Sequence, residues 1–162
     1  MLLAEDLLRL SSRIATLDDP SPSQAGLRRA ISTAYYALFH LLISEATLNW
    51  GRAEFRAELG RVFDHGKMKN AAIQTRSALE SRKKSCQKSA HLYRVVETFI
   101  NLQQKRNRAD YSSGEDWDPT STLELISEVE AAFESWKAIR DESEAQAFLV
   151  AMLGTRTRSD YS

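Results

Sequence analysis

Arg106 and Asp110 are the side chains from which chemistry could start, near the end of the stretch Leu92–Tyr111, LYRVVETFINLQQKRNRADY. At about 100° per residue, Leu92, Val95, Val96, Phe99 and Leu102 share one side of a helix. The same stripe continues through Gln103, Arg106, Ala109 and Asp110. An apolar face therefore runs into an arginine and an aspartate spaced i, i+4. A charge at a core-facing position is costly unless it is paired, so this helix end is either a buried ion pair or a site. Pairing with Asp110 on the same face would leave Arg106 less free to hold a phosphate.

Other chemistry-bearing residues are sparse. There is no P-loop, no dinucleotide glycine fingerprint and no cysteine pair, and His40, His65 and His91 lack the spacing of a zinc site, so neither metal nor cofactor is expected. His40 falls on the back of an apolar helix, where a core or interface histidine is the plain reading. His65, in Asp-His-Gly, is either an exposed functional histidine or simply part of a turn, and His91 has no evident role. The single cysteine, Cys86, cannot form an internal disulfide and has Lys83, Lys84 and Lys88 as neighbours, which would lower a thiol pKa. Arg76, Arg82, Lys83, Lys84 and Lys88 form one basic cluster. It is either a solvated loop or a phosphate-contacting nucleic-acid patch.

The elements that must position these residues are helical throughout. Of the 162 residues, 43% are apolar and 27% charged, the profile of one soluble globular domain with a real core. Lys+Arg and Asp+Glu both number 22, so no global positive field announces nucleic acid. Leu3, Leu7, Leu10, Ile14 and Leu17 mark a first helix over 2–17; charges inside its apolar run argue against a signal peptide or membrane span. A cytoplasmic protein is expected. Ser21-Pro22 with Gln24 reads as a cap and capping box, opening a second helix over 22–50 that is apolar nearly all round. A short helix over 54–63 follows, with a turn or two near Met68–Ile73, and residues 74–89 read as a polar surface loop. The Arg106 helix spans 87–111. Asp118 and Pro119 open another helix up to Arg140, and a last one covers 143–153, with a frayed tail beyond. No strand pattern occurs.

The block Leu27–His40, LRRAISTAYYALFH, followed by Arg106–Tyr111, RNRADY, resembles the HEPN superfamily over roughly residues 5 to 140. The resemblance implies an all-α, up-and-down four-helix bundle with additional short helices over 1–142, leaving 143–162 as a C-terminal helical extension and tail. It implies a homodimer, and the second, aromatic-rich face of the central helix points the same way, with an interface around Tyr36, His40 and Ile43. Many such proteins are metal-independent ribonucleases of toxin–antitoxin, defence or RNA-processing systems, often beside a nucleotidyltransferase-like partner. Their active motif is an arginine, a polar residue, and a histidine after four to six intervening positions. Here Arg106 and Asn107 match the first two; Tyr111, Ser112 and Ser113 occupy the three places where the histidine would stand. Cleavage at neutral pH wants a group that titrates there, and a tyrosine with a pKa near 10 is a poor base. The expectation is a non-catalytic RNA-, nucleotide- or protein-binding module that uses Arg106, Asn107, Asp110 and Tyr111. The alternative is an endoribonuclease with Arg106, Asn107 and Tyr111 as its catalytic residues.

Overall fold

A computed structural model describes residues 2–154. Among them the chain is all-α, with seven α-helices and no strand. The elements are α1 (Leu2–Ala15), α2 (Gln24–Leu48), a 3-10 turn (Ala53–Phe55), α3 (Arg56–Gly60), α4 (His65–Leu79), α5 (Gln87–Tyr111), α6 (Pro119–Ile139) and α7 (Ser143–Ala151). The tail expected to fray, residues 155–162, lies outside the described residues.

The near-continuous apolar character of α2 is explained by its place at the centre. It packs on α1, α5 and α6, with α3 and α7 at its C-terminal half. Leu27, Ala30, Ile31, Ala34, Tyr35, Leu38, Leu41 and Leu42 are all buried. The alanines among them let neighbouring helices approach closely. α5 lies between α2, α4 and α6 and buries the expected stripe of Leu92, Val95, Val96, Phe99 and Leu102.

Several helix ends lie two or three residues inside the sequence reading, with the helix expected over 54–63 reduced to a 3-10 turn and α3, and three further differences have a specific physical reason. α2 is capped by Ser23, whose side chain accepts the Gly26 N–H at 3.0 Å, and not by Ser21. The Gln24 side chain does not reach back to a cap. Its amide instead pairs with the Trp117 backbone, donating to the carbonyl at 2.8 Å and accepting the N–H at 2.7 Å. A long-range pair of bonds displaces the local capping box. Second, Asp64-His65-Gly66 is a helix start: Asp64 accepts the Lys67 N–H at 2.8 Å and His65 is the first residue of α4. Third, that helix runs through Gln74 to Leu79, so the polar loop is only the turn between Leu79 and Gln87. Its buried face is Met68, Ala71, Ala72 and Leu79, and two alanines make a weak hydropathic signal.

Two clamps fix the end of α5 that carries Arg106. The Arg28 guanidinium, on α2, donates to the carbonyls of Ala109 (2.8 Å), Ser112 (2.7 Å), Ser113 (3.4 Å) and Glu115. A cation at a helix C-terminus satisfies carbonyls that have no intrahelical partner and complements the dipole. Arg108 pairs with the Glu115 carboxylate. At the other end of the molecule Glu45, 4% exposed at its side chain, is held bidentately by Arg140 at 2.6 and 3.2 Å, which ties α2 to the end of α6. α7 packs on α2 and α4 through Ala145, Phe148 and Leu149. No helix among the described residues is long and apolar enough to cross a membrane.

Candidate functional site

The ion-pair reading of the α5 end is met in the structure, and the pair sits at a cluster of polar aromatics. Arg106 Nε is 3.1 Å from Asp110 Oδ2, with 15% and 24% of the two side chains exposed. The Nε–H is off-line for a hydrogen bond and makes none, so the contact is an ion pair without that alignment. The hydrogen bonds go elsewhere. Nη2 donates to the Tyr36 hydroxyl at 2.7 Å and Nη1 to Asn107 Oδ1 at 3.0 Å. The guanidinium also lies against three rings, with Cζ 5.3 Å from the Tyr36 centroid, 5.7 Å from Tyr35 and 5.9 Å from Tyr111. Cation–π contacts of this kind add to the fixing of the group. Asp110 also accepts weakly from Ser32 Oγ at 3.4 Å.

Arg106, Asn107, Asp110 and Tyr111 therefore converge on one place, as the sequence suggests. Tyr111 stands 77% exposed at its rim.

A histidine that the sequence leaves open between a turn and a functional role, and does not link to Arg106, completes the cluster. His65, the first residue of α4, is half-buried with its Nδ1 2.6 Å from the Tyr35 hydroxyl. Its ring stacks on Phe39, centroids 4.3 Å apart and planes at 19°, and meets Tyr36 edge-on at 5.9 Å. Gln103 Nε2 donates to the His65 carbonyl at 3.2 Å, anchoring α4 to α5, while Gln103 Oε1 is buried without a protein partner. Burial lowers the His65 pKa below its ordinary value; the Arg106 charge and His40 push the same way, and the Asp64 carboxylate opposes them. Burial likewise raises the Tyr35 phenol pKa well above the normal tyrosine range, so Tyr35 is a neutral phenol. Such a phenol donates to Nδ1, which assigns the neutral His65 proton to Nε2.

The residues of the expected interface lie beside this cluster. The half-buried side chains of Tyr36, His40 and Ile43 share one flank of α2. His40 and Ile43 line a groove of about 400 Å³ with Phe39, Phe63 and the exposed Leu3. Burial lowers the His40 pKa.

Four of the five cations of the basic cluster, all but Lys84, are charge-compensated within the chain. Arg76 pairs with Glu97 at 3.0 Å, Arg82 with Glu144 at 2.7 Å, Lys83 with Glu80 at 2.7 Å and Lys88 with Glu142 at 2.7 Å. Lys83 also sits over the Tyr93 ring at 4.1 Å. A groove of about 1180 Å³ opens beside Lys83 and Lys84 between α5 and α6, and no residue of the Arg106 cluster lines it. Cys86 is exposed at the start of α5, where hydrogen bonding from Ser89 lowers its thiol pKa. His91 Nδ1 meets Ser135 Oγ at 3.1 Å, a link between α5 and α6. Among the described residues no group of His, Cys, Asp or Glu side chains is arranged to hold a metal.

No family model, curated protein or solved structure matches this chain. The site must be read from its own geometry.

Proposed function

We propose that this chain is a HEPN-like four-helix protein that binds RNA or a nucleotide at the Arg106 cluster without cleaving it, as a module of a toxin–antitoxin or defence system. The observation that carries the reading is the pairing of a fixed guanidinium with an exposed ring: Arg106, held by Tyr36, Asn107 and Asp110, has Tyr111 beside it at 5.9 Å. Phosphate meets the cation and a base stacks on the ring, the recurring arrangement of single-strand recognition. The carboxylate of Asp110 beside Arg106 argues for modest affinity. The cluster at Arg76–Lys88 is a poorer candidate for the phosphate, since four of its five cations already face carboxylates.

Binding of a fluorescent single-stranded RNA oligonucleotide tests this directly. Arg106→Ala and Tyr111→Ala are each expected to weaken it about tenfold, because aromatic stacking alone contributes about 1–3 kcal/mol per base. Wild-type affinity in both variants would sink the reading. The RNA should remain intact after incubation.

The endoribonuclease reading keeps one favourable observation, the presence of a histidine beside Arg106 in space though not in sequence. Cleavage of the oligonucleotide by wild type, abolished in Arg106→Ala, would replace the binding reading with it. We further infer a homodimer through the Tyr36–His40–Ile43 flank of α2, with a nucleotidyltransferase-like protein as a second partner. A monomeric mass at micromolar concentration would remove the dimer.

A further inference from the structure

We propose that His65 and Arg106 form a single oxyanion site for an RNA phosphodiester, and that filling this site drives a proton onto His65. The inference rests on the RNA-binding reading above and adds a second phosphate-binding group, from a different helix, together with a proton that accompanies the ligand.

The geometry begins with the shared rings. Arg106 lies against Tyr35 and Tyr36, and His65 packs on the same two rings, 5.6 and 5.9 Å from their centroids. Both polar groups are also tied to those tyrosines through their hydroxyls, Arg106 to Tyr36 at 2.7 Å and His65 to Tyr35 at 2.6 Å. One pair of adjacent α2 residues thus seats an arginine from α5 and a histidine from α4. Neither can move away without breaking a hydrogen bond to α2.

Electrostatics supplies the coupling. The titratable and charged groups that face His65 are Arg106 on α5, Tyr35, Tyr36 and His40 on α2, and Asp64 at the start of α4. Arg106 keeps the imidazole neutral by repulsion, beyond the effect of burial. An anion seated on the guanidinium cancels that repulsion and reverses the local field, so the imidazolium becomes the favoured form. Linkage then requires the converse: protonating His65 strengthens anion binding by the same factor. The hydrogen bonding allows it. With neutral His65, the Tyr35 O–H donates to Nδ1 and the Nε2–H remains a donor. On protonation, Nδ1–H donates to the Tyr35 oxygen, whose own buried proton must turn from the ring at a cost that the bound anion has to offset, and Nε2–H stays available to the oxyanion. Asp110 is the built-in competitor, a carboxylate already at Arg106 that the phosphate has to displace or share.

The probe is the dinucleoside monophosphate UpU, whose diester does not titrate between pH 5 and 8, so any proton taken up belongs to the protein. Its affinity is expected to fall by up to about tenfold per pH unit between the His65 pKa of the free and of the bound protein. The His65 Cε1–H resonance is expected to titrate at higher pH when UpU is added. His65→Gln should bind with a flat pH profile, and Asp110→Asn should bind more tightly with the pH slope kept. If His65→Gln does not fold, the shift of the His65 resonance in wild type decides the matter alone. Binding that is independent of pH, or a slope that survives His65→Gln and vanishes in His40→Gln, overturns the inference and leaves the RNA-binding reading intact. Absence of UpU and oligonucleotide binding at every pH overturns both.

Discussion

At the scale of single residues, the hydrogen bond between Tyr35 and His65 decides the state of the site. Tyr35 is fully buried, and its hydroxyl has the imidazole as partner. Tyr35→Phe is expected to cost about 1 kcal/mol, read as a lower midpoint in urea with an unchanged slope. A loss of zero would mean that the bond is no better than solvation of the ring. A second consequence concerns pH. His65 and His40 are both held below the ordinary histidine pKa in the folded chain, so the unfolded chain binds more protons as the solution is acidified. Their contribution to stability is complete above the unfolded value near 6.5 and is lost as pH falls through the folded values. The ligand-free protein should therefore melt at lower temperature at pH 5 than at pH 7, and His65→Gln should show a smaller drop. An equal drop in both proteins would count against the effect at His65.

At the scale of elements, legibility followed the strength of the apolar signal. The stripe Leu92–Leu102 predicts the helix that α5 forms, since Leu, Val and Phe at helical spacing leave no other period. Asp118 and Pro119 mark the start of α6 for an equally local reason: a side chain that accepts the Ser121 N–H and a ring that needs no donor. The second half of α4 was not legible, because its inward residues there are small or few and its outward face is polar. Leu79, 1% exposed, is the test. Leu79→Ala is expected to cost about 2–5 kcal/mol in chemical denaturation, whereas an exposed loop leucine would cost almost nothing. The site was half legible for the same reason. Arg106 and Asp110 are one turn apart on one helix, and a spacing rule finds them. His65 reaches them through tertiary packing of α4 on α5 by way of the Gln103 side chain, and no local pattern records that. A glutamine one turn before Arg106 on a core-facing stripe was the available hint that a backbone from elsewhere needed a partner there.

For the whole molecule, α2 is the common wall: α1, α5 and α6 all pack on it, and polar ties fasten both its ends. Arg28 and Gln24 hold its N-terminal half to the α5–α6 connection, and Glu45 holds its C-terminal half to Arg140. Glu45→Ala removes a buried carboxylate and leaves a guanidinium that keeps 37% of its side chain in water. The expected cost is therefore about 1.5–3 kcal/mol, the range for hydrogen bonds to charged groups, and below that of a fully buried pair. Thermal unfolding of the variant measures it, and a stability equal to wild type would show that the tie is incidental.

Arg28 carries a further consequence through the ion atmosphere. Its guanidinium faces four backbone carbonyls, and Arg108 faces Glu115, so recruiting either to a phosphate would unfasten the end of α5. On the RNA-binding reading proposed above, a strand docking at Arg106 would therefore shed few condensed counterions. Affinity plotted against the logarithm of salt concentration should fall with a slope of only about −0.7, one neutralised phosphate on a single strand. Because His65 would share that one phosphate with Arg106, lowering the pH should tighten binding without steepening this slope.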